Sequence, residues 1–296
     1  MTGEYAVIHG ALSIALPTKL GQRMTIKNAR GSDLIWEALD QNGDVWFEAQ
    51  MSLYDFSAIK TSDPVISKQL KKILRSAVRG NSEFLSTWSG FKVETQLQFP
   101  REWGLGSSST LISTVAQWAE INPFHLYFDL YNGSGYDVAC AEADDAIEYQ
   151  LGEDNLHFHE IDFYPSFANK LFFVYQGKKQ DSESSLKIHG RKFKNKKDVI
   201  DKISEISTEI SQLKSFNKFT ELLEQHESII SDTIGVPTLK ESEYKNFSGT
   251  IKSLGAWGGD FLLAASDQGE KYVQKYFNSK GMDVIFPYDK LIHRST

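Results

Sequence analysis

Residues 104–110, which read Gly-Leu-Gly-Ser-Ser-Ser-Thr, constrain the fold more than any other part of this chain. Glycine allows tight backbone geometry and close approach of a ligand. An apolar helical pattern begins directly afterwards, at Leu111, and residues 91–99 before the turn alternate apolar and polar side chains, which predicts a half-buried strand. A glycine turn between a strand and a helix presents unpaired N–H groups at the positive end of the helix dipole. The sequence therefore predicts a site for phosphate or another anion here.

A plainer interpretation of the same residues is a helix cap. Serine and threonine are common caps, and a glycine turn before a capped helix needs no ligand. The turn is not a Walker A loop, because no Gly-Lys-Ser or Gly-Lys-Thr follows the glycines. It also matches a dinucleotide-binding fingerprint poorly. At this point the cap and the anion site both remain open.

Composition limits the class of protein. The chain has 296 residues, 41% hydrophobic and 24% charged, which suits one large or two medium domains with real cores. We expect neither a transmembrane span nor a signal peptide. The single cysteine, Cys140, excludes an internal disulfide and favours a cytoplasmic location. The net charge of −7 argues against nucleic acid or an anionic membrane as the main partner.

Two histidines, His157 and His159, fall on one side of a predicted strand. No cysteine or carboxylate at ligand spacing accompanies them, so we interpret them as surface histidines rather than metal ligands. The basic run at residues 191–197 is interpreted as a solvated loop before a helix, with binding of an anionic substrate as the alternative.

Periodicity predicts an α+β chain in two domains, residues 1–165 and 166–296. The first domain is expected to contain two hairpins and two helices. Its predicted strands are 34–38, 45–51, 91–99, 147–151 and 156–161, with turns at 41–44 and 152–155, and its predicted helices are 65–78 and the run from Leu111. In the second domain strands are predicted at 171–175, 261–265 and 283–286, and helices at 198–214, 218–234, 244–254 and 270–278.

Three glycine-rich clusters call for a common explanation. They are residues 3–10 (Gly-Glu-Tyr-Ala-Val-Ile-His-Gly), residues 100–108 (Pro-Arg-Glu-Trp-Gly-Leu-Gly-Ser-Ser) and residues 255–260 (Gly-Ala-Trp-Gly-Gly-Asp). In this order and at these separations they resemble the three motifs of the GHMP kinase superfamily, which includes galactokinase, homoserine kinase, mevalonate kinase and phosphomevalonate kinase. The resemblance extends over nearly the whole chain. The third motif is the loosest match, because the family usually has Thr-Gly-Ala-Gly-Gly-Gly where this chain has Trp257.

A fourth segment, residues 134–139, extends the resemblance. It reads Ser-Gly-Tyr-Asp-Val-Ala and is similar to the Ser-Gly-x-Asp-x-Ala segment of mevalonate-kinase-like members, in which the aspartate acts on the attacking hydroxyl. Together with the third motif it resembles a bacterial subgroup with a Gly-Tyr-Asp-Ile-Ala signature. Asp137 is then the candidate catalytic residue. The alternative for Asp137 is a turn aspartate that caps the next helix.

The resemblance also implies a fold and a set of site residues. The fold is α+β, with an N-terminal domain like ribosomal protein S5 domain 2 and a ferredoxin-like C-terminal domain. ATP and Mg²⁺ are the implied cofactors, and Ser108 would contact the metal. The loop implied to hold the ATP phosphates consists of Gly104, Leu105, Gly106, Ser107, Ser108 and Ser109. The residues implied to lie near a small-molecule acceptor are Glu4, His9, Gly255, Ala256, Gly258 and Gly259.

Two departures from the family pattern concern charged groups. The mevalonate-kinase branch has a lysine several residues before the Gly-Glu pair, and it pairs with the catalytic aspartate. Here Gly3 follows Met1 closely, so we expect further residues upstream that include this lysine, unless it is dispensable or the protein is impaired. The branch also supplies a Mg²⁺-binding glutamate before the aspartate segment. The one carboxylate in that region here is Asp129, in a different register.

The sequence leaves three functions open. The first is an ATP-dependent kinase that acts on a mevalonate-like metabolite. The second is a catalytically silent relative that binds a nucleotide or a metabolite. The third is an enzyme like diphosphomevalonate decarboxylase, which shares the fold and uses ATP. The identity of the acceptor and the formation of a homodimer are also left open.

Overall fold

The computed structural model describes residues 1–86, 89–152, 155–178 and 182–295. They form two compact units, each discontinuous in sequence. The terminal unit comprises residues 1–19, 102–104 and 143–296, and the central unit comprises residues 20–101 and 105–142. This division differs from the contiguous domains 1–165 and 166–296, and that domain boundary stays a prediction.

The described residues form twelve strands. They are β1 (Ser13–Ala15), β2 (Gln22–Ala29), β3 (Asp33–Leu39), β4 (Val45–Ser52), β5 (Ala58–Thr61), β6 (Gly90–Leu97), β7 (Ile147–Leu151), β8 (Leu156–Glu160), β9 (Leu171–Tyr175), β10 (Thr250–Ser253), β11 (Phe261–Ala265) and β12 (Ile285–Pro287).

The same residues form ten α-helices. They are α1 (Pro64–Gly80), α2 (Ser107–Trp118), α3 (Pro123–Leu130), α4 (Tyr136–Glu142), α5 (Ser182–His189), α6 (Lys197–Ser211), α7 (Phe216–Ile234), α8 (Leu239–Ser242), α9 (Glu270–Asn278) and α10 (Tyr288–Leu291). Short 3-10 turns occur at Ala6–His9, Arg101–Trp103, Ala168–Lys170 and Gly190–Phe193. Among the described residues, every helix is too short or too polar to cross a lipid bilayer.

The central unit is a five-stranded sheet in the order β2-β6-β3-β4-β5, with β3 and β6 parallel. On β3 the buried residues alternate as Leu34, Trp36 and Ala38, so one face of the sheet is apolar. This face and the helices α1, α2 and α3 contribute to one hydrophobic core. The predicted 34–38 and 45–51 hairpin is confirmed by the antiparallel pairing of β3 with β4.

Helix α1 shows why a predicted element forms where it does. Asp63 is its N-cap and accepts hydrogen bonds from the N–H groups of Val65 and Ile66. Pro64 occupies the first helical position, where no backbone donor is needed. Leu70, Leu74 and Ala77, among others, form the buried stripe.

The terminal unit contains two sheets. One has the order β1-β7-β8, and the predicted hairpin of 147–151 with 156–161 appears as the β7–β8 pair, although Glu153 and Asp154 of its turn lie outside the described residues. The other has the order β10-β11-β9-β12 and is antiparallel throughout. Its chain order of strand, helices, two strands, helix and strand confirms the ferredoxin-like expectation.

The predicted helix at 244–254 is wrong. The structure instead has the short helix α8 before this stretch and strand β10 within it. Thr250 pairs with Ala265 of the buried strand β11. At Gly249, which has φ +141°, a side chain would lie 2.2 Å from the carbonyl oxygen of Ala265. Pairing with a buried strand and this close approach outweigh the helical spacing of the apolar residues.

Candidate active site

The glycine turn leads into helix α2 as predicted. Gly106 is the N-cap of α2 with φ 80°, in the left-handed region, and no side chain at the cap accepts a hydrogen bond from the first turn. The serines from Ser107 onward therefore form the first helical turn and do not cap it. Thr110 ties the turn to the sheet by donating its hydroxyl hydrogen to Gln22 Oε1 at 2.9 Å. An uncapped helix N-terminus is the feature that an anion site requires, so this geometry favours the anion interpretation over the cap.

Gly104 lies against Asp260 within the terminal unit. Its φ is +67°, and a side chain there would come within 2.3 Å of the Asp260 carboxyl carbon. Asp260 is 8% exposed and is the last residue of the third glycine cluster. Its N–H donates to Lys178 O, and its own carbonyl accepts from Gln176 N–H, both at 2.8 Å. Glycine at position 104 is therefore required both by the backbone angle and by the approach of this carboxylate.

Asp137 is the second residue of helix α4 and is exposed to solvent. The capping interaction belongs to Ser134, whose hydroxyl oxygen accepts from Tyr136 N–H at 3.3 Å. The alternative that Asp137 is a cap is thus not what the structure shows. Desolvation raises the pKa of the Asp137 carboxyl. In the central unit α4 packs beside α2, and the Ser113 hydroxyl donates to Glu142.

The first glycine segment, residues 3–10, forms a tight turn in the terminal unit. Glu4 is buried, with 7% of its side chain exposed, and its Oε1 accepts from Lys252 Nζ at 2.8 Å. Tyr5 adopts φ 60°, which is uncommon for a bulky residue. His9 is half-buried, and its Nε2 lies 2.8 Å from Gly190 O, beside the basic run. Within that run Arg191, Lys194 and Lys196 are exposed, consistent with a solvated loop.

A buried polar cluster links Glu4 to strand β10 and helix α7. Lys252 is fully buried and donates to Glu4 Oε1 and, at 3.2 Å, to Glu227 Oε1. Glu227 Oε2 accepts from Ser253 N–H at 3.1 Å. His226 Nε2 accepts from Gly3 N–H at 3.0 Å. The cluster therefore joins three elements of the terminal unit.

Burial and mutual charge shift the pKa values of this cluster. Desolvation raises the pKa of Glu227 to about 7. The pKa of Lys252 is also raised, because Glu4 and Glu227 outweigh the desolvation that acts to lower it. Desolvation and the charge of Lys252 hold the pKa of His226 well below its usual value. His226 is therefore neutral at pH 7, which agrees with its Nε2 acting as an acceptor.

Lys252, Glu227 and His226 were not predicted from the sequence. A signal was available, because His226 and Glu227 lie among the apolar positions of α7 that include Phe219, Leu223 and Ile230. Charged or polar side chains on an apolar helical stripe are buried with partners when the helix packs.

The third glycine segment, residues 255–259, follows β10. Gly255 and Gly258 have φ 68° and 78°. Gly258 N–H donates to Ser253 Oγ at 3.3 Å, and Gly259 O accepts from Gln176 Nε2 at 3.0 Å. Trp257, the departure from the family pattern, is 8% exposed and shares a hydrophobic cluster with Tyr5, Ala6 and Phe193. The tryptophan is thus accommodated by the first glycine segment and by the basic run.

Asp129, the carboxylate considered for Mg²⁺, is engaged in the central unit. The Ser76 hydroxyl donates to it and Arg79 forms a salt bridge with it. These contacts hold its pKa below the usual range. Across the described ranges, no group of three or more His, Cys, Asp or Glu side chains could hold a metal ion by itself.

The structure therefore assembles the predicted site residues in two sets. In the terminal unit, Glu4 is joined to the strand that leads into the third glycine segment, and Gly104 contacts the aspartate that follows it. In the central unit, Leu105 to Ser109 and Asp137 lie at or near the starts of two helices that pack together.

No known sequence family matches this chain, and no curated protein matches it in sequence. Solved structures do match it. The mevalonate kinase of Methanococcus jannaschii is 16% identical, with a TM-score of 0.67, and the alignment covers 100% of this chain and 95% of that one. Phosphomevalonate kinase from Streptococcus pneumoniae, solved with phosphomevalonate and AMPPNP, is 16% identical over 96% of both chains, with a TM-score of 0.69. Galactokinase from Lactococcus lactis, solved with galactose, is 14% identical over 100% of this chain and 91% of that one, with a TM-score of 0.67.

These proteins are GHMP kinases, so this chain has the GHMP kinase fold. The predicted fold class is confirmed. At this identity the similarity concerns the fold, and the acceptor has to be identified from the site.

Proposed function

We propose that this chain is an ATP-dependent small-molecule kinase that transfers a phosphoryl group to a hydroxyl or phosphate oxygen of a mevalonate-like metabolite. The observation that carries this proposal is the uncapped N-terminus of α2 behind Gly106. Its backbone N–H groups and the helix dipole suit the phosphates of ATP. The kinase fold of the solved relatives supports the same reaction class.

Phosphoryl transfer needs positioning and charge neutralisation more than covalent chemistry. The loop from Gly104 to Ser109 would hold the phosphates, and Asp137 would orient the attacking group or accept its proton. Because Asp137 is exposed and heads a helix of its own, its carboxylate is accessible to a ligand.

Mg²⁺ is part of this proposal. It typically keeps several waters and binds through one or two protein groups together with substrate phosphates. The Ser108 hydroxyl is the protein group proposed to contact the metal, whereas Asp129 already forms a salt bridge with Arg79. When bound, the metal would neutralise charge on the phosphates.

The acceptor is proposed to bind to the terminal unit near Glu4, His9 and the third glycine segment. The Glu4 carboxylate is buried against Lys252, which favours a role in holding the turn over direct contact with the acceptor. The backbone of Gly255, Ala256, Gly258 and Gly259 would shape the floor of the acceptor site. A cytoplasmic location belongs to the same proposal.

A screen of ATP consumption over candidate acceptors tests this function. Mevalonate, phosphomevalonate, homoserine and galactose would each be supplied with Mg·ATP, and the phosphorylated product would be identified by mass spectrometry. Asp137→Asn is the matched control for contaminating kinases. Product with one acceptor, absent in the control, supports the proposal. ATP binding without turnover on any of them favours the catalytically silent relative.

A further inference from the structure

We propose that Lys252 is a positioning residue that joins the first and third glycine segments of the terminal unit into one preorganised acceptor-binding surface. This inference rests on the proposed function for the role of the surface, although the coupling of the two segments stands on geometry alone.

The first joint is ionic. Lys252 Nζ donates to Glu4 Oε1 at 2.8 Å, to Glu227 Oε1 at 3.2 Å and to the carbonyl of Ser253 at 3.0 Å. These three bonds use the whole donor capacity of the ammonium group. Glu227 meanwhile accepts the N–H of Ser253. The backbone that enters the third segment and the turn of the first are therefore held by the same buried side chain.

The second joint is a hydrogen bond between the segments themselves. The backbone N–H of Trp257 donates to the hydroxyl oxygen of Tyr5 at 2.7 Å. The Tyr5 ring stacks on Phe193 with ring centroids 6.3 Å apart. Its positive φ is a conformation that persists only where surrounding contacts over-determine it. The bond to Trp257 and the packing of its ring are such contacts.

The arrangement is expensive for a purely structural role. Buried ion pairs contribute little to stability compared with apolar side chains of similar volume. Two buried atoms of the described cluster, Glu4 Oε2 and His226 Nδ1, have no hydrogen-bond partner. Unpaired polar atoms and backbone strain collect where a site has to be preorganised. The unpaired Glu4 Oε2 and the strained backbone of Tyr5 belong to the two residues that follow Gly3. The unpaired His226 Nδ1 belongs to helix α7, which packs behind that turn.

Two variants with matched controls test the coupling in the full chain. Lys252→Met removes the ionic joint and keeps most of the side-chain volume. Its control is Lys240→Met, because Lys240 Nζ also donates to backbone carbonyls in the terminal unit, at Phe247 and Gly249. Tyr5→Phe removes the second joint, and its control is Tyr288→Phe, which deletes a comparable bond from a buried hydroxyl to Phe163 O.

Three properties are measured. They are backbone hydrogen exchange over residues 3–10 and 255–259, the melting temperature, and kcat and KM for the acceptor that the screen identifies as a substrate. We expect Lys252→Met and Tyr5→Phe each to raise exchange in both segments by about tenfold or more. We expect each to lower kcat/KM for the acceptor by about tenfold, with KM for ATP little changed. The controls should lower the melting temperature and leave exchange in both segments unchanged.

The coupling is refuted if hydrogen exchange rises in residues 255–259 while residues 3–10 stay protected. It is also refuted if hydrogen exchange is unchanged in both segments. If Lys252→Met does not fold, Tyr5→Phe decides by the same criterion. If the wild-type protein phosphorylates none of the tested acceptors, the proposed function is wrong. The hydrogen-exchange data still test the coupling of the two segments in that case. A normal kcat/KM for the acceptor in variants with loosened segments would refute the positioning role.

Discussion

At the scale of single residues, Asp137 carries the chemistry of the proposed reaction. Replacing its carboxyl group by Asp137→Asn should leave folding and ATP affinity intact, because the side chain is exposed and does not cap its helix. Loss of a general base or orienting carboxylate should lower kcat by roughly 10²–10⁴-fold.

Turnover measured with the acceptor found in the screen, together with calorimetry for ATP, checks this prediction. Glu142→Gln at the other end of α4 is a suitable control. Near-normal turnover in Asp137→Asn would show that the aspartate is only structural.

Gly104 is the residue at which side-chain volume matters most in the phosphate loop. Gly104→Ala imposes an unfavourable φ and drives a methyl group into the Asp260 carboxylate. We expect a loss of roughly 2–4 kcal/mol in the free energy of unfolding. Gly235→Ala is the matched control, because Gly235 has φ +66° with open space around it, and it should cost only about 1 kcal/mol.

Denaturant titration of both variants measures the difference. Equal losses would mean that the Asp260 carboxylate moves aside at no cost. In that case the close approach would not be the reason for glycine at position 104.

At the scale of elements, the N-cap of α1 is a local interaction that the folded structure keeps. Asp63 accepts hydrogen bonds from Val65 and Ile66 at 2.8 and 3.2 Å. Asp63→Ala should lower the free energy of unfolding by about 1 kcal/mol. Asp201→Ala, which removes an exposed (i, i+4) pair with Lys197, should cost about 0.5 kcal/mol or less. Thermal unfolding of the two variants compares them, and a larger loss in Asp201→Ala would contradict this account.

The elements also show where local sequence is sufficient. Strand β11 and helix α9 have the predicted bounds, since each is an apolar or amphipathic run that ends at turn residues. The failed helix at 244–254 has comparable apolar spacing, but its second half is a strand partner of β11. Pairing with another strand depends on the tertiary structure, so it cannot be predicted from the residues near 244–254 alone.

At the scale of the whole molecule, the buried cluster makes stability depend on pH. The pKa of Glu227 is about 7 in the folded state, because of desolvation, and about 4.3 in the unfolded chain. The folded state therefore binds the proton more tightly. The stabilisation is complete below about pH 4, declines as pH rises, and is lost above about pH 7, with an upper bound of about 4 kcal/mol.

Glu227→Gln should accordingly flatten the fall in melting temperature between about pH 5 and pH 8. Glu224→Gln is the matched control, because Glu224 also links α7 to β10, through Thr250. The lowered pKa of His226 gives the opposite slope, since protons bind the unfolded histidine below about pH 6.5. Comparing the two variants cancels that contribution, and identical pH profiles for both would exclude Glu227 as the source.

The glycine clusters, the Asp137 segment and most element bounds were determined by sequence alone. Each depends on backbone angles, capping chemistry or periodicity within a few residues, which are local properties. From those residues the α+β class and the anion loop were predicted, whereas the catalytic role of Asp137 was implied by the resemblance to the GHMP kinases.

Only the tertiary structure decided what supports the site. Glu4 and Lys252 are 248 positions apart in the chain, and a lysine in a short strand gives no local sign that it is buried. Gly104 is required by Asp260, and Trp257 is held by Tyr5, for reasons that exist only once the terminal unit has folded. Burial turns such contacts into pKa shifts and strain, because the cost of an unpaired charge or a forced φ arises in the packed interior and not in the extended chain.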